Sequence, residues 1–457
     1  MNLKFNYNYI IIILVSFFFF FWGVDLERAK LPYFLAWDYK YEFYERLSNI
    51  RLSYFIVLLL IPITYSCVKK KTLLFKQIFN YQKYILLLTL FIIIHLFFVK
   101  FYYNESVDKS EIANLFYLII LSVIYCHYRD FIFVNFKKII IFYLIIFVLF
   151  SITMLPPIYN EGQCNNDIFI INLIREYLKI SLTRSIYLEN SHLAMMSVAV
   201  FFSSIFLLLQ QKRNNLLFLL FLISVEIIII LNNLSTTYFV AYFFSVIALL
   251  LFLVKKINNT KYWIITVLFL FINSYLFLSD KQCTAKIIQF DVQELITDDI
   301  NKNDKNLTTT IYQRSIIVSK RTLLHQPLGW GIDGMDNATQ DLLKEYRLRV
   351  LSKNFINKFK GAPIIDENIV YWHLNFLNLK DGLSNFFKLF TEFGIFAFII
   401  YFYFIKYLLN LKNINSYNLF IIVLFITLSI RGAGYFNGGF IFCLLEFFYH
   451  KKFNNNQ

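Results

Sequence analysis

The sequence predicts an all-α, polytopic integral membrane protein with about twelve transmembrane helices, one long extracytoplasmic loop and one shorter one. Three observations predict it. Hydrophobic residues make up 58% of the 457-residue chain and charged residues only 16%, too few for a soluble surface of this size. Between Tyr9 and Leu278 one long apolar stretch follows another. From Asp280 to Leu383 the chain turns polar, and then the apolar segments resume. A bilayer offers no partner to a backbone N–H or C=O, so each long apolar run reads as a helix that satisfies its own backbone.

In chain order the expected spans are Tyr9–Val24, Leu52–Val68, Tyr84–Val99, Ala113–His127, Ile139–Leu155 and His192–Gln210. Leu216–Leu231, Tyr238–Val254, Tyr262–Ser279, Asn385–Leu409, Leu419–Ile430 and Phe436–His450 complete the set. No small-x-small cleavage site follows Phe21–Val24, so the first span reads as a retained signal-anchor rather than a signal peptide. The whole chain, 1–457, reads as a single polytopic domain with extracytoplasmic loops over 156–191 and 280–383.

Orientation comes from the basic residues of the short loops. Lys69, Lys70, Lys71 and Lys76 fall in one, and Arg129, Lys137 and Lys138 in the next but one. Lys212 and Arg213, then Lys255, Lys256 and Lys261, then Lys406 and Lys412, continue the alternation, and Lys451 and Lys452 close it. Asn232–Thr237 has neither Lys nor Arg, whereas Asp25–Arg51 carries both signs and dissents. Both termini are therefore expected in the cytoplasm. The formal charge of +15 accompanies 55 Phe, 32 Tyr and abundant Ile, Asn and Lys, a composition shaped by AT-rich coding. No basic patch is interleaved with exposed aromatics on a soluble unit, which argues against a nucleic-acid partner.

Five cysteines show no metal-ligand spacing. Cys67, Cys126 and Cys443 belong to helices or their cytoplasmic ends. Cys164 and Cys283 fall on the two outer loops, where a disulfide and two free thiols are both open readings.

Ionisable groups are costly in hydrocarbon, so chemistry collects where the chain leaves it. Three outer segments carry dense functional groups. In Arg184-Ser-Ile-Tyr-Leu-Glu189-Asn-Ser-His192-Leu-Ala, Arg184 offers a fork of donors to phosphate oxygens, while Glu189 and His192 are suited to proton transfer. Glu189-Asn-Ser reads equally as a helix cap. The second segment runs from Thr308 through Arg314 to Pro327-Leu-Gly-Trp-Gly331-Ile-Asp-Gly334. Ile316, Ile317, Leu323 and Leu324 predict an amphipathic helix along the membrane, ended by Pro327. Gly329, Gly331 and Gly334 would let backbone amides approach an anion, and Arg314, Lys320 and Arg321 are either anion ligands or a headgroup-facing rim. The third contains Trp372-His373 and Ser384-Asn385-Phe-Phe-Lys388-Leu-Phe-Thr-Glu392-Phe-Gly394. Lys388 and Glu392 stand i,i+4 on one helix, so an intrahelical pair facing protein or water is expected. Within the hydrocarbon His95, Glu226 and Glu446 are isolated; a proton relay would use them, but packing is the plainer role. Arg431, beside Gly432-Ala-Gly434, adds an outer cation.

In this order the segments resemble the O-antigen polymerase and O-antigen ligase superfamily of bacterial envelope glycosyltransferases, over roughly residues 180–400. Arg184–Ala194 resembles its Arg…Glu-Pro-Ser-(His)-Leu-Ala pattern, with Asn190 in place of Pro. Leu234-Ser-Thr-Thr237 is similar to its Ser/Thr loop, Arg314 with Pro327–Gly331 to its Arg…Pro-Leu-x-Gly-x-Gly signature, and Ser384–Gly394 to its His-Asn-x-x-Leu…Glu-x-Gly helix. Ser384 stands where the ligases carry His, which tilts the resemblance toward a polymerase of the Wzy type.

The resemblance implies a metal- and cofactor-independent glycosyltransferase in the bacterial cytoplasmic membrane. It would join polyprenyl-pyrophosphate-linked oligosaccharides into O-antigen or capsular polysaccharide at the outer face. Arg184, Arg314 and Arg431 would hold the pyrophosphate, and Glu189 or His373 would act as base. His192, Arg321, Asn385, Lys388 and Glu392 are further candidates. Membrane lipids, a flippase and a chain-length regulator are the implied partners. The alternatives are a ligase delivering the glycan to an acceptor such as lipid A-core, and a flippase for the same lipid-linked glycans.

Overall fold

Helix breaks in the computed structural model follow glycine, proline and capping side chains more than charge. The structure describes residues 7–20, 52–70, 83–153 without 104–106 and 108, 181–182, 190–210, 216–279 without 233–234 and 258, 307–341 without 333, 336 and 340, 384–432 without 413, and 439–449. Among these the fold is helical, apart from a two-residue antiparallel pair of Ile152–Thr153 (β1) with Ser181–Leu182 (β2).

Helix α1 covers Tyr7–Phe20. A 3-10 stretch, Leu52–Leu59, passes into α2, Leu60–Lys70. Pro62 lies in the first turn of α2, where its missing N–H costs little. Deeper in a helix its ring would meet the carbonyl four residues back, so α geometry begins only at Leu60.

Helix α3 spans Lys83–Tyr102 and α4 Lys109–Ser151, 43 residues without interruption. This corrects the expectation of two spans joined by a positive loop at Arg129, Lys137 and Lys138. No glycine or proline occurs between Lys109 and Ser151, and Arg and Lys are good helix formers, so charge alone does not break the helix. Along its path α4 measures about 64 Å, roughly twice the hydrocarbon thickness. Its first half runs antiparallel to α3, joined by a buried Lys100–Glu111 pair at 2.8 Å and by Thr89 and Ser122 hydroxyls at 3.1 Å. Its second half runs alongside α1 in the same direction, from the Tyr7–Tyr128 hydroxyl contact at 2.7 Å to Phe20 stacked on Tyr143 at 4.3 Å.

The helices α5 (Asn190–Gln210), α6 (Leu216–Asn232), α7 (Thr236–Leu253) and α8 (Thr260–Ser279) match the sixth to ninth expected spans. Ser235, expected in a loop, caps α7 by accepting the Tyr238 N–H at 3.2 Å. Helix α9, Leu307–His325, stops short of Pro327 as expected. The expected span Asn385–Leu409 is divided into α10 (Asn385–Phe393), one 3-10 turn (Gly394–Phe396) and α11 (Ala397–Asn410). The break falls at Gly394, whose φ of +55 lies in the left-handed region that glycine enters without strain. Helix α12, Ser416–Ile430, is capped by Asn415, and α13 covers Phe440–Phe448.

The centre of the bundle is α12, buried along nearly its whole length and packed most closely on α5. A helix apolar on every side belongs inside. Four stretches, in α3, α4, α5 and α10–α11, are long and apolar enough to cross a membrane. On α3 the residues Leu87, Leu90, Ile94, Phe97 and Phe101 form an exposed stripe, Phe101 being 86% accessible. Such a stripe is penalised in water and favoured against acyl chains. Cys67, Cys126 and Cys443 lie in helices as free thiols.

Candidate functional site

Three remote parts of the sequence meet on α10. The first contact is at its start. Ser384 does not cap its own helix; its hydroxyl donates to the Ser429 carbonyl at 2.6 Å, tying α10 to the end of α12. Asn385 is fully buried against Gly432, where an added Cβ would lie 2.3 Å from the Asn385 amide nitrogen. Neither polar atom of the Asn385 amide has a hydrogen-bond partner among the described residues. Arg431, half-buried, is the residue that ends α12, its backbone N–H donating to Thr427 at 2.9 Å. Asn385, Arg431 and the first-turn N–H groups of α10 thus occupy one end of the bundle, where the start of α10 meets the end of α12.

The second contact is α9. Among its described side chains, from Ser315 onward, the buried ones are Ser315, Val318, Ser319 and Thr322, spaced for one helix face. Ser319 donates to the Phe387 carbonyl at 3.0 Å and lies 3.1 Å from the Thr391 hydroxyl. This revises the expected amphipathic face, because Leu324 is exposed and Ile316, Ile317 and Leu323 only half-buried. Small hydroxyl residues let two backbones approach more closely than Ile or Leu would, so they win the interface.

The third is the glycine-rich turn. Trp330 and Gly331 donate their N–H groups to the carbonyls of Thr391 and Glu392 at 3.0 and 2.9 Å, and Ile395 donates to Pro327 at 2.9 Å. The Thr391 and Glu392 carbonyls are ones that α10, ending at Phe393, cannot satisfy within itself. Gly329, Gly331 and Gly334 were expected to present amides to an anion. Their amides are instead spent on Gln326, Glu392 and Gly331 carbonyls, and the missing side chains serve close backbone contact. An added Cβ on Gly329 would lie 2.3 Å from the Glu392 oxygen. On the other side His95, isolated in sequence, donates from Nε2 to the Leu328 carbonyl at 2.8 Å and packs against Phe393. Part of the long polar segment therefore sits between α3 and α10. Irregular backbone is tolerated there because its polar groups are paired.

Gly329→Ala should consequently loosen the α9–α10 unit. The backbone there has φ +83, and strain of this kind costs about 1–3 kcal/mol before the steric displacement is added. Limited proteolysis between α9 and α10 should accelerate; unchanged digestion would show that the turn does not hold the unit together.

Lys388 and Glu392 form the expected i,i+4 pair at 3.7 Å, and both are buried in protein. Arg321 pairs with Asp341 at 3.3 Å, so its fork is directed at a carboxylate of the chain itself. Arg314 lies on α9, but its side chain is outside the described residues, as is that of His192 in the first turn of α5. Arg184, Glu189, His373, Cys164 and Cys283 lie outside them altogether.

A second polar centre sits where α4, α12 and α13 meet. Glu446 receives Arg129 in a bidentate pair, Nε to Oε2 at 3.1 Å and a terminal nitrogen to Oε1 at 2.5 Å. Tyr125 and Tyr417 also donate to this carboxylate. The guanidinium lies over Tyr449 and Phe133, 4.5 and 4.8 Å from their ring centroids. Both of the earlier expectations, a loop Arg129 and an isolated Glu446, are corrected. Among the described residues His95, Glu226 and Glu446 have separate surroundings and no relay joins them. Glu226 is fully buried, with neither oxygen hydrogen-bonded among the described residues.

In comparisons with known proteins, no family model, no curated protein and no solved structure matches the chain.

Proposed function

We propose that the chain is a polysaccharide polymerase of the bacterial cytoplasmic membrane, transferring a glycan from polyprenyl pyrophosphate to the sugar hydroxyl of another lipid-linked repeat unit. One observation carries this reading. The turn Pro327–Gly331 and the segment Ser384–Gly394, which separately resemble the polymerase and ligase superfamily, are joined backbone to backbone, with Asn385 lodged beside Arg431 and Gly432. Parts that resemble one family's signatures thus behave as one structural unit.

Cleavage of the anomeric C–O bond leaves charge on pyrophosphate, which Arg431, Arg314 and Arg184 would stabilise. Glu189, or else His373, would take the acceptor proton. Ser384 is spent on the Ser429 carbonyl and supplies no base, which favours polymerase over ligase. With α4 continuous the expected fourth and fifth spans merge, so the count of twelve is given up; a polytopic bundle whose Arg129–Glu446 end faces the cytoplasm is our reading of the topology. It is supported by the shared location of Arg129, Glu446 and the start of α12 at one end and of Asn385 with the end of α12 at the other.

Deletion of the gene tests the reading through the surface glycans. Single repeat units on the final carrier are expected. Long polymer stranded on its lipid would mean a ligase instead, and unchanged glycans would remove the chain from polysaccharide assembly.

A further inference from the structure

We propose that the bundle holds an anionic phospholipid in an apolar cavity at its Glu446 end, away from the Asn385–Arg431 site. The cavity, about 340 Å³, lies among α3, α4, α10–α11 and α13. Its inner end is closed by Ile332 and Phe393, directly beneath the glycine-rich turn. Its other end is formed by Tyr84, Tyr403 and Phe448, the last two stacked at 4.2 Å. From Tyr84 to Ile92 the wall rises about 12 Å along α3, a depth suited to an extended acyl chain. Almost nothing in the wall can hydrogen-bond a sugar, so a glycan is a poor occupant.

The mouth specifies the rest of the ligand. Over each of the two lining tyrosines stands an exposed lysine. Lys83 Nζ is 5.3 Å from the Tyr84 ring centroid, and Lys406 Nζ is 5.4 Å from that of Tyr403. Glu446, two residues before Phe448, is engaged by Arg129 and does not neutralise them. A single apolar slot with two ammonium groups at its rim fits a chain whose head carries a phosphate. A zwitterionic lipid would bring a choline cation toward the same lysines. The rim also lies at the end where basic loop residues are expected, so the lipid comes from the cytoplasmic leaflet and is not the outer-face donor. This inference is independent of the polymerase reading, because its test measures no glycan.

Native mass spectrometry of the purified full chain tests it, with phosphatidylglycerol and phosphatidylcholine of identical acyl chains added in turn. Phosphatidylglycerol should bind about ten-fold more tightly, roughly 1.4 kcal/mol. The double variant Lys83→Gln/Lys406→Gln should lose that preference. Ile92→Trp, which fills the cavity, should lose binding of both lipids; Ile399→Trp, at the exposed edge of the wall, serves the same purpose should the buried variant fail to fold. Equal binding of the two lipids by the wild type, or a preference surviving the lysine changes, would overturn the proposal. So would lysine-dependent capture of polyprenyl phosphate in preference to phosphatidylglycerol, which would assign the cavity to a substrate tail.

Discussion

Glu446→Ala is expected to destabilise the protein by about 3–5 kcal/mol, the cost of leaving a buried charge without its partner. Arg129 is flanked by Phe133, Tyr417 and Tyr449. Once the buried carboxylate is gone, among the described residues only Asp130, exposed and 3.2 Å from its other terminal nitrogen, still pairs with it, so the loss is expected toward the lower end of that range. Tyr125 and Tyr417 lose their acceptor in the same step. The double variant Arg129→Met/Glu446→Leu removes both charges and keeps the volume, and apolar replacement of a whole buried pair is often neutral. Its unfolding midpoint in detergent, followed by helical circular dichroism, should therefore lie closer to wild type than that of Glu446→Ala. Equal losses in the two variants would show that packing, rather than the unpaired charge, governs the effect.

That pair also shows where a sequence stops being legible. Helices α5 to α8 are legible because each is a long apolar run bounded by polar residues. Helix α4 is not legible as one element, because Arg129, Lys137 and Lys138 have the look of a loop in sequence. In soluble and membrane proteins alike, the absence of glycine and proline is the stronger evidence for helix continuity. Arg129 and Glu446 are separated by 317 positions, and nothing local links them. The only signal is Glu446 standing alone among apolar neighbours, where an unpaired charge would be costly. The glycines of Pro327–Gly331 were recognised as special, but for another reason. Whether such a turn binds an anion or a helix end depends on what faces it, and α10 begins 54 positions beyond Gly331. The Lys388–Glu392 pair, by contrast, followed from spacing alone, because a helix fixes its own i,i+4 neighbours.

Glu189→Gln is expected to lower polymerisation by on the order of 10²–10⁴-fold, the usual contribution of a positioned acid–base group. Glu189 immediately precedes α5, which starts at Asn190 and packs on α12, the helix that ends beside Arg431. A base must be held by a rigid support, and α5 is the element that follows Glu189 in the chain. Gln keeps the size and the hydrogen-bonding capacity of the side chain but removes the basic carboxylate. The variant should stay abundant in membranes while lipid-linked single repeats accumulate, and purified protein should retain its unfolding midpoint. A cap role differs in rate alone, since Gln at this position would then cost little in either stability or rate. Near wild-type polymerisation of lipid-linked repeats by purified Glu189→Gln protein would move the base to His373, to be tested by His373→Gln in the same assay. A deep loss in both variants would leave Glu189 as the base and His373 as a group that orders the acceptor.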